Sequence, residues 1–111
     1  MIWEELDKAI IFDEVDATDW KDVMMKVGGT LVQENYAKKS YIDALITRET
    51  EFPTGLDVNG IGVAIPHTDV THVQKPGIAI AVLKNPVDFI QMGSDDDIVK
   101  VQLIFMLAVV D

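Results

Sequence analysis

The two histidines, His67 and His72, are the side chains with the most evident capacity for chemistry. His67 stands in GIGVAIPHTD, where an apolar segment with strand character ends and a loop begins. In open α/β folds that place lies at the rim of the sheet, where functional sites form. Pro66 fixes its own φ, so the chain approaches His67 stiffly.

An imidazole in that place suits reversible phosphoryl transfer. Its unperturbed pKa lies near ~6.5, so much of the ring is neutral at neutral pH, and the neutral ring is a good nucleophile. We therefore predict that His67 accepts a phosphoryl group. An ordinary surface histidine is the alternative.

His72 follows His67 closely, with Asp69 between them. His72 could donate a hydrogen bond to a phosphoryl group on His67, or it could be merely exposed on the loop. Alternatively, the three residues could ligate zinc or iron in a small metal-dependent hydrolase. Their spacing differs from the helical i, i+4 arrangement of two-histidine metal sites, which disfavours the metal hypothesis.

Arg48 is the only arginine in a chain that otherwise uses lysine. It comes near the end of a predicted helix, where it could complement the helix dipole. Its planar guanidinium could instead bind two oxygens of a phosphoryl group. Thr54 and Gly55 follow Pro53 in a predicted tight turn, which could be a plain turn or could add hydroxyl and amide donors. The expected phosphate-binding set is Arg48, Thr54, Gly55 and Thr68.

Two helices are expected in the first half of the chain. Thr18 and Asp19 are good N-cap types before apolar residues at helical spacing in segment 20–32. Gly28 and Gly29 each weaken that helix by about 1 kcal/mol, which predicts a kink or break. The second helix should begin at Ser40, in a capping box with Asp43, and end near Phe52 because Pro53 follows.

The second half has β-branched apolar segments, which predict strands over residues 61–65, 77–83, 87–90 and 98–110. A buried helix over 101–110 is an alternative. Segments 78–83 and 103–107 are apolar without alternation, so helices should cover both faces of the sheet. This predicts one α/β domain over residues 1–111: a mixed central sheet in a three-layer sandwich. Because the chain stops after the last strand, we expect a domain truncated at its C-terminus.

Composition narrows the class of function. The net charge of −10 disfavours nucleic-acid binding. It favours partners with a basic docking face, or alternatively only keeps the domain soluble. The chain has no cysteine, which excludes thiol catalysis and Cys-based zinc sites. The N-terminus lacks signal-peptide features, and the longest apolar run is shorter than the ~18–20 residues that span a bilayer. We therefore expect a cytoplasmic protein without membrane insertion.

Several segments together resemble one family. These are TRETEFPTG, GIGVAIPHTDVTH, the following apolar strand, PVDF and the aspartate-rich turn. They are similar to enzyme IIA domains of the bacterial phosphotransferase system, of the fructose–mannitol type, and within it most closely to the galactitol-specific branch. The resemblance runs from about Trp20 to Asp111, and EFPTG together with His72 points to galactitol.

The resemblance implies that His67 accepts phosphate from the phosphohistidine of HPr and passes it to a cysteine of enzyme IIB, for uptake of galactitol or a related polyol. Arg48 would face the phosphate, and His72 matches a histidine of galactitol-type sequences. A phosphotransferase of this kind needs no metal or nucleotide cofactor. The family's C-terminal helices, and any second active-site histidine there, would lie beyond Asp111. A regulatory module of the same type is the alternative role.

Overall fold

The computed structural model describes residues 10–108. They form five strands, two α-helices and a one-turn 3₁₀ helix (Val70–His72). In chain order the main elements are β1 (Ile10–Val15), α1 (Trp20–Gln33), α2 (Tyr41–Glu51), β2 (Gly55–Val58), β3 (Ile61–Ala64), β4 (Gly77–Ile90) and β5 (Ile98–Ala108).

The strands form one mixed sheet in the order β1-β4-β5-β3-β2. β1 runs parallel to β4 and β3 runs parallel to β5, whereas the β4/β5 and β2/β3 pairs are antiparallel. The predicted α/β class with a mixed central sheet is therefore confirmed. The site-bearing strand β3 lies beside β5, so the loop that follows β3 emerges next to the end of β5.

Both helices contribute to a single core on one face of the sheet. Ala79 pairs with Met106 and Ala81 with Ile104, and all four side chains are buried. The residues of α1 and α2 that cover this face are Val23, Met24, Val27, Leu31, Tyr41 and Leu45. Burying an aliphatic side chain of this size stabilises the fold by about 1.5–3 kcal/mol.

The opposite face of the sheet is less covered. Ile80 pairs with Phe105 there, and both side chains are half-buried. Among residues 10–108 the helices lie on one face, so the third layer of the predicted sandwich is not found in the described part of the chain.

Helix α1 begins as predicted, because the Asp19 side chain accepts a hydrogen bond from the Asp22 N–H. The expected break at Gly28 and Gly29 is wrong, since α1 continues to Gln33. A Cβ on Gly28 would lie 3.2 Å from Leu45 Cδ1. The glycine therefore allows α2 to pack closely on α1, and this contact compensates for its weak helix propensity.

Helix α2 confirms the predicted end before Pro53, but the capping box at its start is not formed. The Ser40 side chain makes no capping hydrogen bond. Its hydroxyl oxygen lies instead 2.8 Å from Nδ1 of His72. A tertiary contact has therefore replaced the local one that the pattern predicts.

Three predictions need correction because the structure has strand where the sequence predicts helix, turn or a break between strands. The first half of the chain is not only helical, because β1 forms the edge of the sheet beside β4. The predicted turn at Gly55 is the start of β2, which pairs with β3. Predicted strands 77–83 and 87–90 are one strand, β4, with a register shift between Val82 and Val87.

The predicted last strand is confirmed as far as Ala108, which rules out the helical alternative for residues 101–108. Positions 109 and 110 of that prediction lie outside the described residues.

Candidate functional site

The His67 loop is anchored at both sides of the histidine. Pro66 is buried, and its carbonyl accepts a hydrogen bond from the Leu107 N–H at 3.0 Å. The His67 Nδ1 atom lies 2.9 Å from the carbonyl oxygen of Ile65. A carbonyl oxygen can only accept, so Nδ1 carries the proton of the neutral ring. The lone pair therefore lies on Nε2, which is the nucleophilic atom in this tautomer.

Arg48 lies in the last turn of α2 and is half-buried. Its guanidinium carbon lies 5.3 Å from the ring centroid of Phe52, within the range of a cation–π contact. Its Nε atom is buried and has no hydrogen-bond partner among residues 10–108. Buried donors are seldom left unpaired, so this nitrogen is suited to an anionic ligand.

His72 is held at the start of α2. Besides the hydrogen bond between its Nδ1 and the Ser40 hydroxyl, its carbonyl accepts from the Lys38 N–H at 3.0 Å. Its Nε2 lies 3.9 Å from Oδ1 of Asp69. The imidazole is thus fixed between α2 and the loop rather than free on the surface.

Asp69 organises the turn between the two histidines. Its Oδ1 accepts from the Thr71 N–H at 3.1 Å and from the Thr71 hydroxyl at 2.5 Å, which caps the one-turn helix Val70–His72. These hydrogen bonds lower the pKa of Asp69, and the charges of His72 and Arg48 act in the same direction. Asp69 is therefore a structural carboxylate that also places negative charge beside the arginine.

An open cleft of about 450 Å³ lies between α2 and the loop that follows His67. Hydroxyl, carboxylate and cationic groups line it together with one aromatic ring. The lining residues are Ser40, Asp43, Ala44, Thr47, Arg48, Glu51, Phe52, Thr68, Asp69 and His72. The structure thus brings Arg48, His72 and Thr68 of the predicted site together, whereas His67 precedes Thr68 in the chain and does not itself line the cleft.

The other two members of the expected phosphate-binding set lie differently. The Thr54 N–H and hydroxyl both donate to Glu49, which leaves no donor for phosphate in this arrangement. Gly55 is buried in β2, where a Cβ would fall 2.7 Å from the Ile90 carbonyl oxygen. Its small size serves strand packing.

Glu49 is a residue that the sequence prediction missed. It is buried, and Oε2 and Oε1 accept from the Thr54 N–H and hydroxyl at 2.8 and 2.9 Å. Burial raises the pKa of Glu49, while the two Thr54 hydrogen bonds and the nearby His67 act in the opposite direction. The signal was present: Tyr41, Leu45 and Glu49 recur at i, i+4 and i+8, on the apolar face of α2.

Metal ligation finds little geometric support. Among residues 10–108, no group of three or more His, Cys, Asp or Glu side chains is arranged to hold an ion. His67, Asp69 and His72 instead use ligand atoms for hydrogen bonds to Ile65, Thr71 and Ser40. The described part of the chain also has no helix long and apolar enough to cross a membrane.

Fold and cleft together define an α/β domain that presents a histidine on an anchored loop and carries an arginine at the end of a helix. Residues 4–111 match the family described as "Phosphoenolpyruvate-dependent sugar phosphotransferase system, EIIA 2". The chain belongs to this family, which confirms the resemblance found in the sequence.

Individual relatives agree with this assignment. The galactitol-specific EIIA component of Escherichia coli (strain K12) is 32% identical over 95 residues, which cover 86% of this chain and 63% of that protein. The chain therefore spans less than two thirds of that relative's length. The transcriptional regulator ManR of Bacillus subtilis (strain 168) is 31% identical over 100 residues, covering 90% of this chain and 14% of the regulator.

The fold has a solved counterpart in the complex of enzyme IIA and phosphorylated enzyme IIB for mannitol from Escherichia coli. The matched chain superposes with a TM-score of 0.69 at 25% identity, covering 87% of this chain and 65% of that one. The sheet and helices described above are therefore those of an enzyme IIA domain.

Proposed function

We propose that this chain is a cytoplasmic phosphocarrier that takes up a phosphoryl group on Nε2 of His67 and passes it on. The observation that carries the proposal is the 2.9 Å contact between His67 Nδ1 and the Ile65 carbonyl. It keeps the proton on Nδ1 and leaves Nε2 free to attack phosphorus.

The transfer steps require little covalent chemistry from the protein. A phosphorus–nitrogen bond forms at Nε2 of His67 while the corresponding bond in the phosphohistidine donor breaks. Charge develops on the equatorial oxygens of a loose transition state, so positioning and cationic donors do most of the catalysis. Arg48 supplies the cation, and its unpaired buried Nε favours an anion in the cleft.

The cleft residues beside Arg48 extend this site. Thr68 and His72 line the same cleft, and we propose that His72 donates to the phosphoryl group during transfer. The Thr68 hydroxyl donates to the Asp69 carbonyl oxygen at 3.0 Å, so we propose that Thr68 supports the loop after His67. For Thr54 and Gly55, which the sequence also predicts to bind phosphate, we propose a supporting role in the loop. The donors of Thr54 serve Glu49, and Gly55 is packed in the sheet.

The partners follow from the family and from the charge. We propose HPr as the phosphoryl donor because the chain belongs to the EIIA 2 family. We propose an enzyme IIB as the acceptor because a relative's structure is a complex of IIA with phosphorylated IIB. Asp43, Glu51 and Asp69 line the cleft and complement a basic docking face. The 32% identity to a galactitol-specific component supports galactitol or a related polyol as the transported sugar.

A direct test is incubation with enzyme I, HPr and phosphoenolpyruvate, followed by intact mass measurement under alkaline conditions. We expect the mass of one added phosphoryl group in the wild type and in His72→Ala, and none in His67→Ala. Labelling that persists without His67 would refute the proposal.

A regulatory role is a second candidate, because the similarity to ManR covers 90% of this chain. Such a module would still be phosphorylated on His67 but would serve as a signal domain. Adding a purified enzyme IIB separates the two roles. A carrier should lose its phosphoryl group to the IIB cysteine, whereas a signalling module should keep it.

A further inference from the structure

A chain of hydrogen bonds leads from buried Glu49 to the His67 loop. Both carboxyl oxygens of Glu49 accept from Thr54, one from its N–H and one from its hydroxyl. The Thr54 hydroxyl oxygen in turn accepts from the Ile65 N–H at 3.2 Å. The Ile65 carbonyl then accepts from Nδ1 of His67.

The direction of these hydrogen bonds is set by Glu49. A hydroxyl has one proton to donate, and the Thr54 hydroxyl donates it in the hydrogen bond to Glu49. The lone pairs of Thr54 Oγ1 are therefore available to accept from the Ile65 N–H. A carboxyl group is suited to this because it offers two acceptor oxygens. Glu49 and Thr54 are 6% and 3% exposed, so water competes little for these contacts.

The Ile65 carbonyl is held between two fixed points. On one side the Ile65 N–H is bonded to Thr54, and on the other the Pro66 carbonyl is bonded to the Leu107 N–H. The proline ring stiffens the link between them. The carbonyl that selects the His67 tautomer is therefore positioned by both α2 and β5.

We propose that Glu49 is a positioning residue, which acts through Thr54 and Ile65 to hold His67 with Nδ1 protonated and Nε2 available for phosphoryl transfer. The inference rests on the proposed function for its consequence in transfer, but its structural part is independent of any phosphoryl donor. Glu49 itself touches neither donor nor acceptor in this role.

The variants that test it remove single steps of the chain. Thr54→Val keeps the branched shape and removes the hydroxyl. Glu49→Gln replaces one acceptor oxygen by an NH₂ group, which can donate to Thr54 Oγ1 and compete with the Ile65 N–H. Thr54→Ser retains the hydroxyl and should restore wild-type behaviour. Thr50→Val is the matched control, because its exposed hydroxyl bonds only the Ile46 carbonyl in α2.

The first readout is the imidazole ¹⁵N NMR spectrum of the whole chain at a pH where the rings are neutral. The wild type, Thr54→Ser and Thr50→Val should show His67 with the proton on Nδ1. Thr54→Val and Glu49→Gln should show a mixture of tautomers. A wild type with the proton on Nε2 would overturn the proposal even if every variant failed to fold.

The second readout is the rate of phosphorylation by phospho-HPr. Misplacing a reacting atom is costly, so Thr54→Val and Glu49→Gln should be slower by about tenfold or more. Unchanged tautomer and rate in both folded variants would overturn the positioning role. A wild type that shows the expected tautomer but takes up no phosphate would refute the proposed function and leave the hydrogen-bond chain standing.

Discussion

The guanidinium of Arg48 stacks on the ring of Phe52, with the guanidinium carbon 5.3 Å from the ring centroid. Both residues belong to the end of α2, where the Phe52 N–H also bonds the Arg48 carbonyl. The aromatic ring is largely exposed, and both residues line the cleft, so the contact fixes the arginine at the cleft surface.

Arg48→Lys should slow phosphoryl transfer although it keeps the positive charge. An ammonium group cannot make the two-point contact of a guanidinium, and losing one such donor in the transition state costs about 2–4 kcal/mol. We expect a rate lower by roughly a hundredfold or more. Rapid-quench phosphorylation by phospho-HPr measures it, with the melting temperature as the control for folding. An unchanged rate would assign Arg48 to the helix end alone.

Phe52→Ala should slow transfer much less. A cation–π contact at an exposed site contributes about 0.5–1 kcal/mol, which corresponds to a rate change of a few-fold. Phe52→Tyr retains the aromatic face and should keep the wild-type rate. If Phe52→Ala transfers at the wild-type rate, the ring does not position the guanidinium.

Ser40 and His72 should be energetically coupled. A hydrogen bond of this kind contributes about 0.5–1.5 kcal/mol, so a double-mutant cycle of Ser40→Ala and His72→Ala should give a coupling of that size. The matched cycle of Ser40→Ala with Asp43→Ala should give about zero, because no capping box is formed. Urea unfolding of the six proteins measures both. Coupling between Ser40 and Asp43 without coupling between Ser40 and His72 would instead support the capping box.

The features that could be predicted from the sequence are those decided by neighbouring residues, whereas the features that could not depend on contacts between distant segments. The end of α2 was predictable because Pro53 acts on its neighbour, and the His67 loop was predictable because AIPH closes an apolar strand. The Ser40 contact was not, since the backbone N–H donors of the first helical turn and a distant imidazole compete for one hydroxyl group. Strand β1 was missed because its strand conformation depends on pairing with β4, far away in the chain.

Glu49 is a third case: its spacing in the sequence places it on the buried face of α2, but the sequence does not show which groups it bonds. An acid at an apolar helical position must find a partner, since an unpaired buried charge is costly. The partner of Glu49 depends on the chain direction after Pro53, because that direction brings Thr54 close to the end of α2. Spacing alone identifies the burial, whereas the hydrogen-bond chain needs the fold.

The raised pKa of Glu49 predicts how the free energy of unfolding depends on pH. Burial raises this pKa above the ordinary 4.5, despite the opposing Thr54 bonds and His67. The folded state then keeps the proton to a higher pH than the unfolded state, so the group's contribution to the free energy of unfolding is greatest below 4.5. It is lost as the pH rises through the folded-state pKa.

Glu49→Gln removes that titration. The stability of the variant relative to the wild type should therefore improve as the pH rises from about 4 to about 8. Urea unfolding of both proteins across this range measures the difference, with Glu34→Gln as an exposed control. A wild type that gains on the variant with rising pH would mean that the Thr54 bonds outweigh burial and lower the pKa.

Chelation should leave both folding and transfer unchanged. A metal hydrolase would hold its ion through His67, Asp69 and His72, and an ion bound only by the folded protein would raise its melting temperature. In the structure Asp69 instead caps a turn through Thr71, and His67 bonds to Ile65. We expect EDTA to change neither the melting temperature nor the phosphorylation by phospho-HPr. Asp69→Asn keeps one acceptor oxygen for Thr71, so it should remain phosphorylated. Stoichiometric zinc or iron in the purified protein, lost on chelation together with stability, would favour the hydrolase hypothesis over the phosphocarrier.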